Sequence, residues 1–275
     1  MRRFWHSFFR SVARVYPRCV TQAQAIAFNM FLAFFPMLLL GLGAVGGSAR
    51  LRAGVKEIAG GLGTILPPGS RELVVDFLTR DTAHPWRWTF FGVVATLLVG
   101  TQVMRLLMDG FQLAHRDDVR PAFWERQGRA VLLLAVTFVP WLATAIFSVF
   151  GKQLRAWMIH HYGLRALMRE LWIVVFSGTA VAIAIIVLAV VYRLGRPGRR
   201  GWREVLPGAV VATLLWWVAN SAFGYYVRHV PKELVYSGLA AAIGLMLWMY
   251  LTAMIILLGA AFNAEFSAGS PSTVH

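Results

Sequence analysis

The chain contains 275 residues, of which 58% are hydrophobic and only 14% are charged, and its formal net charge is +15. This composition leaves no room for a large soluble domain, and the single cysteine, Cys19, excludes an internal disulfide and a cysteine-based metal cluster. We therefore expect one integral membrane domain (1–275) without a cofactor. Its arginine excess is expected to meet anionic lipid headgroups rather than nucleic acid.

The first 20 residues predict an amphipathic helix that lies in the plane of the membrane. Apolar side chains such as Phe4, Phe8 and Val12 recur at helical spacing, with the arginines largely on the other side. The segment has no unbroken apolar region and no small-residue cleavage site, so it does not read as a cleavable signal peptide. The first outer loop, residues 46–87, repeats the amphipathic pattern, and we expect further in-plane helices there.

Six segments are free of charged residues for long enough to suggest membrane-spanning helices. A helix needs about 20 residues to cross the hydrocarbon core, and five of the six reach that length. The second is the shortest and spans only if Arg87 and Arg105 at its ends extend to the interfaces. The predicted fold class is all-α, a bundle of about six transmembrane helices at roughly 23–45, 88–104, 130–150, 171–192, 205–227 and 238–262.

The distribution of basic residues predicts that both termini lie in the cytoplasm. With six spans the termini share one side of the membrane, and placing them inside puts 15 of the 27 lysines and arginines there. Six of the remaining twelve lie in the one long loop, where charge has less influence on orientation.

The first span carries two features that could shape a passage through the bundle. Pro36 cannot donate a hydrogen bond to the carbonyl of Leu32, so the helix should kink there. Asn29 could line a cavity beside the kink, or it could bond a neighbouring helix. Both residues are candidate lining or gating positions.

The second span ends in three polar residues, Gln102, Arg105 and Asp109, whose spacing of three and four puts them on one face. One interpretation is a charged lining for an internal passage, in which Arg105 attracts a headgroup phosphate. The other is an interfacial ion pair between Arg105 and Asp109. Gln102 and Arg105 join the candidate lining residues.

The third and fifth spans add a second proline and a polar stripe. Pro140 predicts a kink in the middle of the third span. In the fifth, one stripe carries Thr213, either Trp216 or Trp217, Asn220 and Gly224, and a tryptophan pair at mid-membrane is unlike an interfacial belt. We expect this stripe to face the bundle interior, with Trp216 and Asn220 as the last two candidate lining residues.

The ionisable residues do not suggest a catalytic centre or a metal site. All seven histidines fall outside the spans, and His160 and His161 are adjacent rather than spaced to ligate one ion. We find no nucleophile with a base and an orienting group, and no gathered carboxylates. The sequence therefore predicts that the protein is not an enzyme.

Three spans carry motifs that resemble the YihY/virulence factor BrkB family. Their order and spacing agree with the family over nearly the whole chain. Two positions depart from it: Ala33 stands where the family commonly has serine, and Ala261 where it commonly has glutamate. Glu265, one helical turn later, could present a carboxylate on the same face. The matching motifs are AIAFNMFLAFFP (25–36), LPGA (206–209), FGYY (223–226), YSG (236–238) and LWMY (247–250).

The resemblance implies a bacterial inner-membrane protein of about six helices. Members of the family are associated with envelope integrity, serum resistance and lipopolysaccharide-linked phenotypes. A tRNA-processing ribonuclease activity was once assigned to members. RNA hydrolysis needs a metal or an acid–base pair reachable from the cytoplasm, which the inner loops of this chain lack.

The leading hypothesis is therefore a membrane transport or lipid-handling protein for an amphipathic or anionic envelope component. Its expected partners are membrane lipids, anionic headgroups above all. The second hypothesis is a non-transporting scaffold that binds an envelope protein complex or a second copy of itself. The tRNA-processing ribonuclease is a remote third.

Overall fold

The computed structural model describes residue 11 and residues 18–46, 85–115, 122–138, 165–198, 201–229 and 237–268. Apart from short connections these residues are helical, and no strand occurs among them. The all-α fold class predicted from the sequence is confirmed. In chain order the helices are α1 (Arg18–Gly46), α2 (Pro85–His115), α3 (123–138), α4 (Arg165–Leu194), α5 (Trp202–His229) and α6 (Ser237–Ala268).

Four helices contain stretches that are long and apolar enough to cross a membrane. α4 adds a shorter apolar stretch, Gly178–Leu194, and the second half of the predicted third span lies outside the described residues. The chain is thus an all-α membrane protein, and each predicted span lies within a helix wherever the structure describes it. The four stretches are Cys19–Met37 in α1, Thr89–His115 in α2, Trp202–Tyr225 in α5 and Ala242–Ser267 in α6.

α2 continues past the predicted end of the second span, and polar residues lie inside the helix rather than at its end. The sequence predicts a span that stops before Arg105, but α2 continues to His115. The helix persists because its other face stays apolar. Met108 and Phe111 on that face are fully buried.

α6 likewise continues past the predicted end of the last span. The sequence predicts an end at Phe262, but α6 continues to Ala268, and Asn263 is 3% exposed inside it. Most of the two regions predicted to form in-plane helices lies outside the described residues; Ser11 is helical, residues 18–20 and 46 belong to α1, and residues 85–87 belong to α2.

α6 is the centre of the described bundle. It packs against α1, α2 and α5, while α1 packs along α2 and α4 packs along α5. α1 and α2 are antiparallel: Gly92 lies against Leu40 near the end of α1, and Gly110 lies against Gln22 near its start. Gly110 also contacts Leu257 near the end of α6. The start of α1 and the end of α6 therefore lie at the same end of the bundle.

This end, which we call the charged end, is formed by the starts of α1, α3 and α5 and the ends of α2, α4 and α6. The buried core lies in the same half of the bundle, where Ile26, Met108, Leu133 and Leu257 are fully buried. The other half exposes large apolar side chains, as expected of helices that face lipid. All charged side chains whose surroundings are described lie at the charged end: Arg105, Asp109, Glu125, Arg126, Arg129, Arg193, Arg196, Arg203, Glu204 and Glu265.

The connection between α4 and α5 closes the charged end on one side. The N–H of Gly195 donates to the carbonyl of Val191 at 2.9 Å, which satisfies an orphan carbonyl at the end of α4. Gly198 has a φ of 94°, a conformation that residues with a Cβ rarely adopt. The guanidinium of Arg193 stacks 4.6 Å above the ring of Trp202, so the two helix ends are held together.

Candidate functional site

The polar residues of α2, Gln102, Arg105 and Asp109, share one face as predicted, and this face points away from the buried core. Leu107 and Phe111 on the opposite face are 5% and 0% exposed, whereas all three polar side chains are half-buried. Nη2 of Arg105 donates to Oε1 of Gln102, one helical turn earlier. α2 therefore carries a polar strip within a stretch that is otherwise apolar.

The carboxylate of Asp109 forms its ion pair with Arg126 of α3 and not with an arginine of its own helix. Nη2 of Arg126 donates to both carboxylate oxygens, at 2.5 Å to Oδ1 and 2.6 Å to Oδ2. The alternative prediction of an ion pair between Arg105 and Asp109 is therefore wrong, because Asp109 pairs with Arg126 instead. Its basis was spacing along one helix, and spacing does not reveal which neighbour brings a competing arginine.

A second ion pair lies one turn further along α3. Nη2 of Arg129 donates to Oε1 of Glu125 at 2.5 Å, and the glutamate is the more exposed partner. Two N–H groups next to these pairs are buried without a hydrogen-bond partner in the structure as described: Nε of Arg105 and Nη1 of Arg129. We call the surface formed by Gln102, Arg105, Asp109, Arg126 and Arg129 the α2–α3 groove.

The groove carries an excess of positive charge. Arg126 faces Asp109 and Arg129 faces Glu125, but no described carboxylate forms an ion pair with Arg105. A cation in a spanning helix that has no ion-pair partner is costly unless it reaches water or an anion. Within the described ranges, no three His, Cys, Asp or Glu side chains are grouped so that they could hold a metal ion.

The two candidates on α1 do not lie in this groove. Asn29 donates from Nδ2 to the carbonyl oxygen of Ala25 in its own helix, at 2.9 Å. The expected bond from Asn29 to a neighbouring helix is not formed among the described residues. Pro36 is half-buried, and α1 continues past it to Gly46. The roles of Asn29 and Pro36 as lining or gating residues stay predictions.

The polar stripe of α5 faces the interior only at its start. Thr213 is 7% exposed, but Trp216 and Trp217 are 36% and 64% exposed, and Asn220 is exposed as well. Asn220 accepts a hydrogen bond from Nε1 of Trp248 on α6, at 3.3 Å. The predicted interior position is wrong beyond Thr213, because the described helices cover α5 mainly near the charged end. Whether Trp216 and Asn220 line a path stays a prediction.

Asn263, which is not among the residues predicted from the sequence, joins α6 to α5. Its Oδ1 accepts a hydrogen bond from the N–H of Gly208 at 2.6 Å, and its Nδ2 donates to the carbonyl of Val205 at 3.1 Å. Gly208 and Gly259 let the two backbones touch. We call this arrangement of Val205, Gly208, Gly259 and Asn263 the asparagine clasp. The sequence signal for it was a Pro207-Gly208 pair inside one span and a glycine in another.

A small cleft opens beside the asparagine clasp. Its interior is ≈ 10 Å³, about the room for one water molecule. The hydroxyl of Tyr192 donates to the carbonyl of Ile256 at 2.7 Å, and its ring packs edge-on against Phe111. The cleft therefore belongs to the packing that joins four helices at the charged end. Its lining residues are Phe111, His115, Tyr192, Arg196, Glu204, Val205, Ala260, Asn263 and Ser267.

Comparison with known proteins gives one family and several distant relatives. The model of the family described as virulence factor BrkB matches residues 17–273. The chain is 23% identical over 247 residues to YfkH of Bacillus subtilis (strain 168), which is named a ribonuclease-like protein; the match covers 89% of this chain and 88% of YfkH. No solved structure matches the chain.

Two further relatives are named UPF0761 membrane proteins. The one from Tolumonas auensis is 27% identical over 174 residues, a match that covers 59% of this chain and 55% of that protein. The one from Alkalilimnicola ehrlichii is 23% identical over 257 residues, which is 92% of this chain and 56% of that protein. The chain thus spans just over half the length of these two relatives.

Proposed function

Since the chain belongs to the virulence factor BrkB family, we propose that it transports or handles an amphipathic, anionic component of the cell envelope within the membrane. One observation carries the proposal. Arg105 lies in a stretch of α2 that is long and apolar enough to cross a membrane, and no described carboxylate forms an ion pair with it. Headgroup phosphates are the anions that a membrane surface offers to such a cation.

The charge distribution supports an orientation with the charged end in the cytoplasm of a bacterial cell and the protein in its inner membrane. Six arginines and four carboxylates lie at the charged end among the described side chains, and cytoplasmic flanks of spans are enriched in arginine. Both termini would then be cytoplasmic, and the α2–α3 groove would lie near the inner headgroups.

In this proposal Arg105 is the inner mouth of the path, and Pro36 permits bending of α1. A proline inside a spanning helix removes one backbone hydrogen bond and weakens the helix locally. The further lining or gating positions are Asn29, Gln102, Trp216 and Asn220.

Flux measurement in proteoliposomes tests the proposal. Purified protein is reconstituted into vesicles that contain labelled anionic phospholipid, and the transfer of the label between leaflets is followed. Vesicles without protein and vesicles with an unrelated six-helix protein at the same density are the controls. Transfer faster than in both controls is expected. A rate equal to theirs, for lipids and for small anions, contradicts the proposal.

A non-transporting scaffold is the second candidate function. The exposed apolar surface of α5 and α6 favours it, because Trp217 is 64% exposed and Ile243 is 60% exposed. Such a surface could receive another membrane protein as readily as lipid. Recovery of one stoichiometric envelope partner together with absent flux would support the scaffold.

The ribonuclease is the remote alternative, and its support is the word ribonuclease-like in the name of the Bacillus subtilis relative. Incubation of the purified protein with tRNA precursors and divalent metal ions tests it. Cleavage that co-purifies with the protein and is lost on a point substitution would support the ribonuclease. Uncleaved tRNA would remove it.

A further inference from the structure

Two buried N–H groups flank the α2–α3 groove without a hydrogen-bond partner among the described residues. They are Nε of Arg105 and Nη1 of Arg129. Buried polar groups in folded proteins are almost always hydrogen-bonded, to protein, to water or to a bound ligand. Two such donors on facing helices therefore point to a missing acceptor.

The register of α2 against α3 puts these two arginines at the same level. Gly100 lies against the side chain of Leu134, and Asp109 pairs with Arg126. α2 and α3 are thus antiparallel, and between these two contacts Arg105 is level with Arg129. Each arginine lies within one turn of the Asp109–Arg126 ion pair, on the side of its helix that carries that pair.

The charges around the groove leave room for one anion. Asp109 gives both of its oxygens to Arg126, and Glu125 is engaged by Nη2 of Arg129. Three arginines therefore face two carboxylates, and the uncompensated cation is Arg105. Guanidinium groups offer several N–H donors in a planar fork that matches the oxygens of a phosphate.

We propose that Arg105 and Arg129 together bind one phosphate group across the α2–α3 groove. The phosphate has two chemical sources, the headgroup of an anionic phospholipid and free inorganic phosphate. The inference rests on the proposed function in one respect: it names the anionic group that Arg105 receives. Asp109 and Arg126 close the groove towards the end of α2, and their mutual neutralisation prevents the aspartate from repelling the ligand.

Calorimetric titration of the detergent-purified protein tests the site, with a short-chain phosphatidylglycerol in one arm and inorganic phosphate in the other. Arg105→Ala and Arg129→Ala are each expected to weaken binding at least tenfold. Arg203→Ala is the matched control, because it removes the same charge from an exposed position at the start of α5, and its affinity should stay within twofold of the unmodified protein. Arg129→Lys keeps the charge but loses the fork, and we expect an intermediate loss.

The outcomes distinguish a lipid headgroup from free phosphate as the ligand, and they test the two-arginine site separately from the proposed transport function. Binding of the lipid alone assigns the phosphate to a headgroup, and equal binding in both arms assigns the site to the phosphate group itself. Affinity that is unchanged in Arg129→Ala, or lost as much in Arg203→Ala, overturns the two-arginine site. If the unmodified protein transfers lipid between leaflets but Arg129→Ala binds phosphate with unchanged affinity, this inference is refuted and the proposed function stands. Binding through both arginines without flux would refute only the proposed function.

Discussion

Replacing Gly208 by alanine should separate α5 from α6 at the asparagine clasp. A Cβ at this position would overlap the carbonyl oxygen of Gly259 and come within 2.5 Å of Cγ and Oδ1 of Asn263. Two of these three atoms belong to the side chain that holds the clasp, and the third is backbone. The side chain of Asn263 could rotate away only by giving up its hydrogen bonds, and the carbonyl oxygen of Gly259 cannot move without moving α6, so the helices must shift apart.

The expected cost follows from two effects. Overpacking of a close contact costs about 1–3 kcal/mol. The shift also breaks the two hydrogen bonds of Asn263, and interhelical hydrogen bonds in membrane proteins contribute about 0.6 kcal/mol each. Gly208→Ala should therefore lower the free energy of unfolding by roughly 2–4 kcal/mol.

Gly244→Ala is the matched control, because it lies on the same pair of helices and its Cβ would meet only Cζ of Phe223, at 3.9 Å. Both variants are unfolded in mixed micelles by titration with sodium dodecyl sulfate and followed by tryptophan fluorescence. We expect the free energy of unfolding of Gly244→Ala to equal that of the unmodified protein or to exceed it by up to about 1 kcal/mol, because alanine favours a helix more than glycine does. If Gly208→Ala unfolds at the same detergent fraction as Gly244→Ala, the close contact of α5 with α6 is refuted.

Three further outcomes follow from other contacts. Tyr192→Phe keeps the ring contact with Phe111 but loses the hydrogen bond to Ile256, and should cost about 0.5–1.5 kcal/mol in the same unfolding assay; an unchanged midpoint would show that this bond is not formed. A double-mutant cycle of Asp109→Asn and Arg126→Gln should give a coupling of about 0.2–1 kcal/mol, because both side chains are over one-third exposed, and strictly additive effects would deny the pair. Gly201→Cys in a Cys19→Ala background should react with a membrane-impermeant maleimide in inverted vesicles but not in intact cells, and the reverse pattern would invert the proposed orientation.

Apolar runs in the sequence predict the helices well, because the length needed to cross a bilayer and the cost of burying charge are properties of single segments. The end of α2 shows where this reasoning fails. Arg105 and Asp109 look like the boundary of a span when residues are read in order, but they occupy one side of a helix whose other side is buried. Packing of one face against neighbouring helices can carry a helix past such polar residues, and the order of residues does not show which neighbours will pack there.

The contacts between helices could not be predicted from one sequence for the same reason. Asp109 pairs with Arg126, 17 residues away, and Asn263 bonds Gly208, 55 residues away. Spacing rules reach only three or four residues along a helix. The residue types were informative, since an aspartate and an asparagine within long apolar segments needed partners, but their partners are set by the way the helices assemble.

The most direct test of the central claim compares transfer of labelled phosphatidylglycerol by Arg105→Ala and Arg203→Ala proteins at equal density in vesicles. Each substitution removes one arginine from the charged end. Arg105 lies in the α2–α3 groove, whereas Arg203 lies outside it. The account predicts that Arg203→Ala keeps the rate of the unmodified protein and that Arg105→Ala falls at least tenfold, towards the rate of protein-free vesicles. Equal rates for the two variants, with both proteins folded, would contradict it.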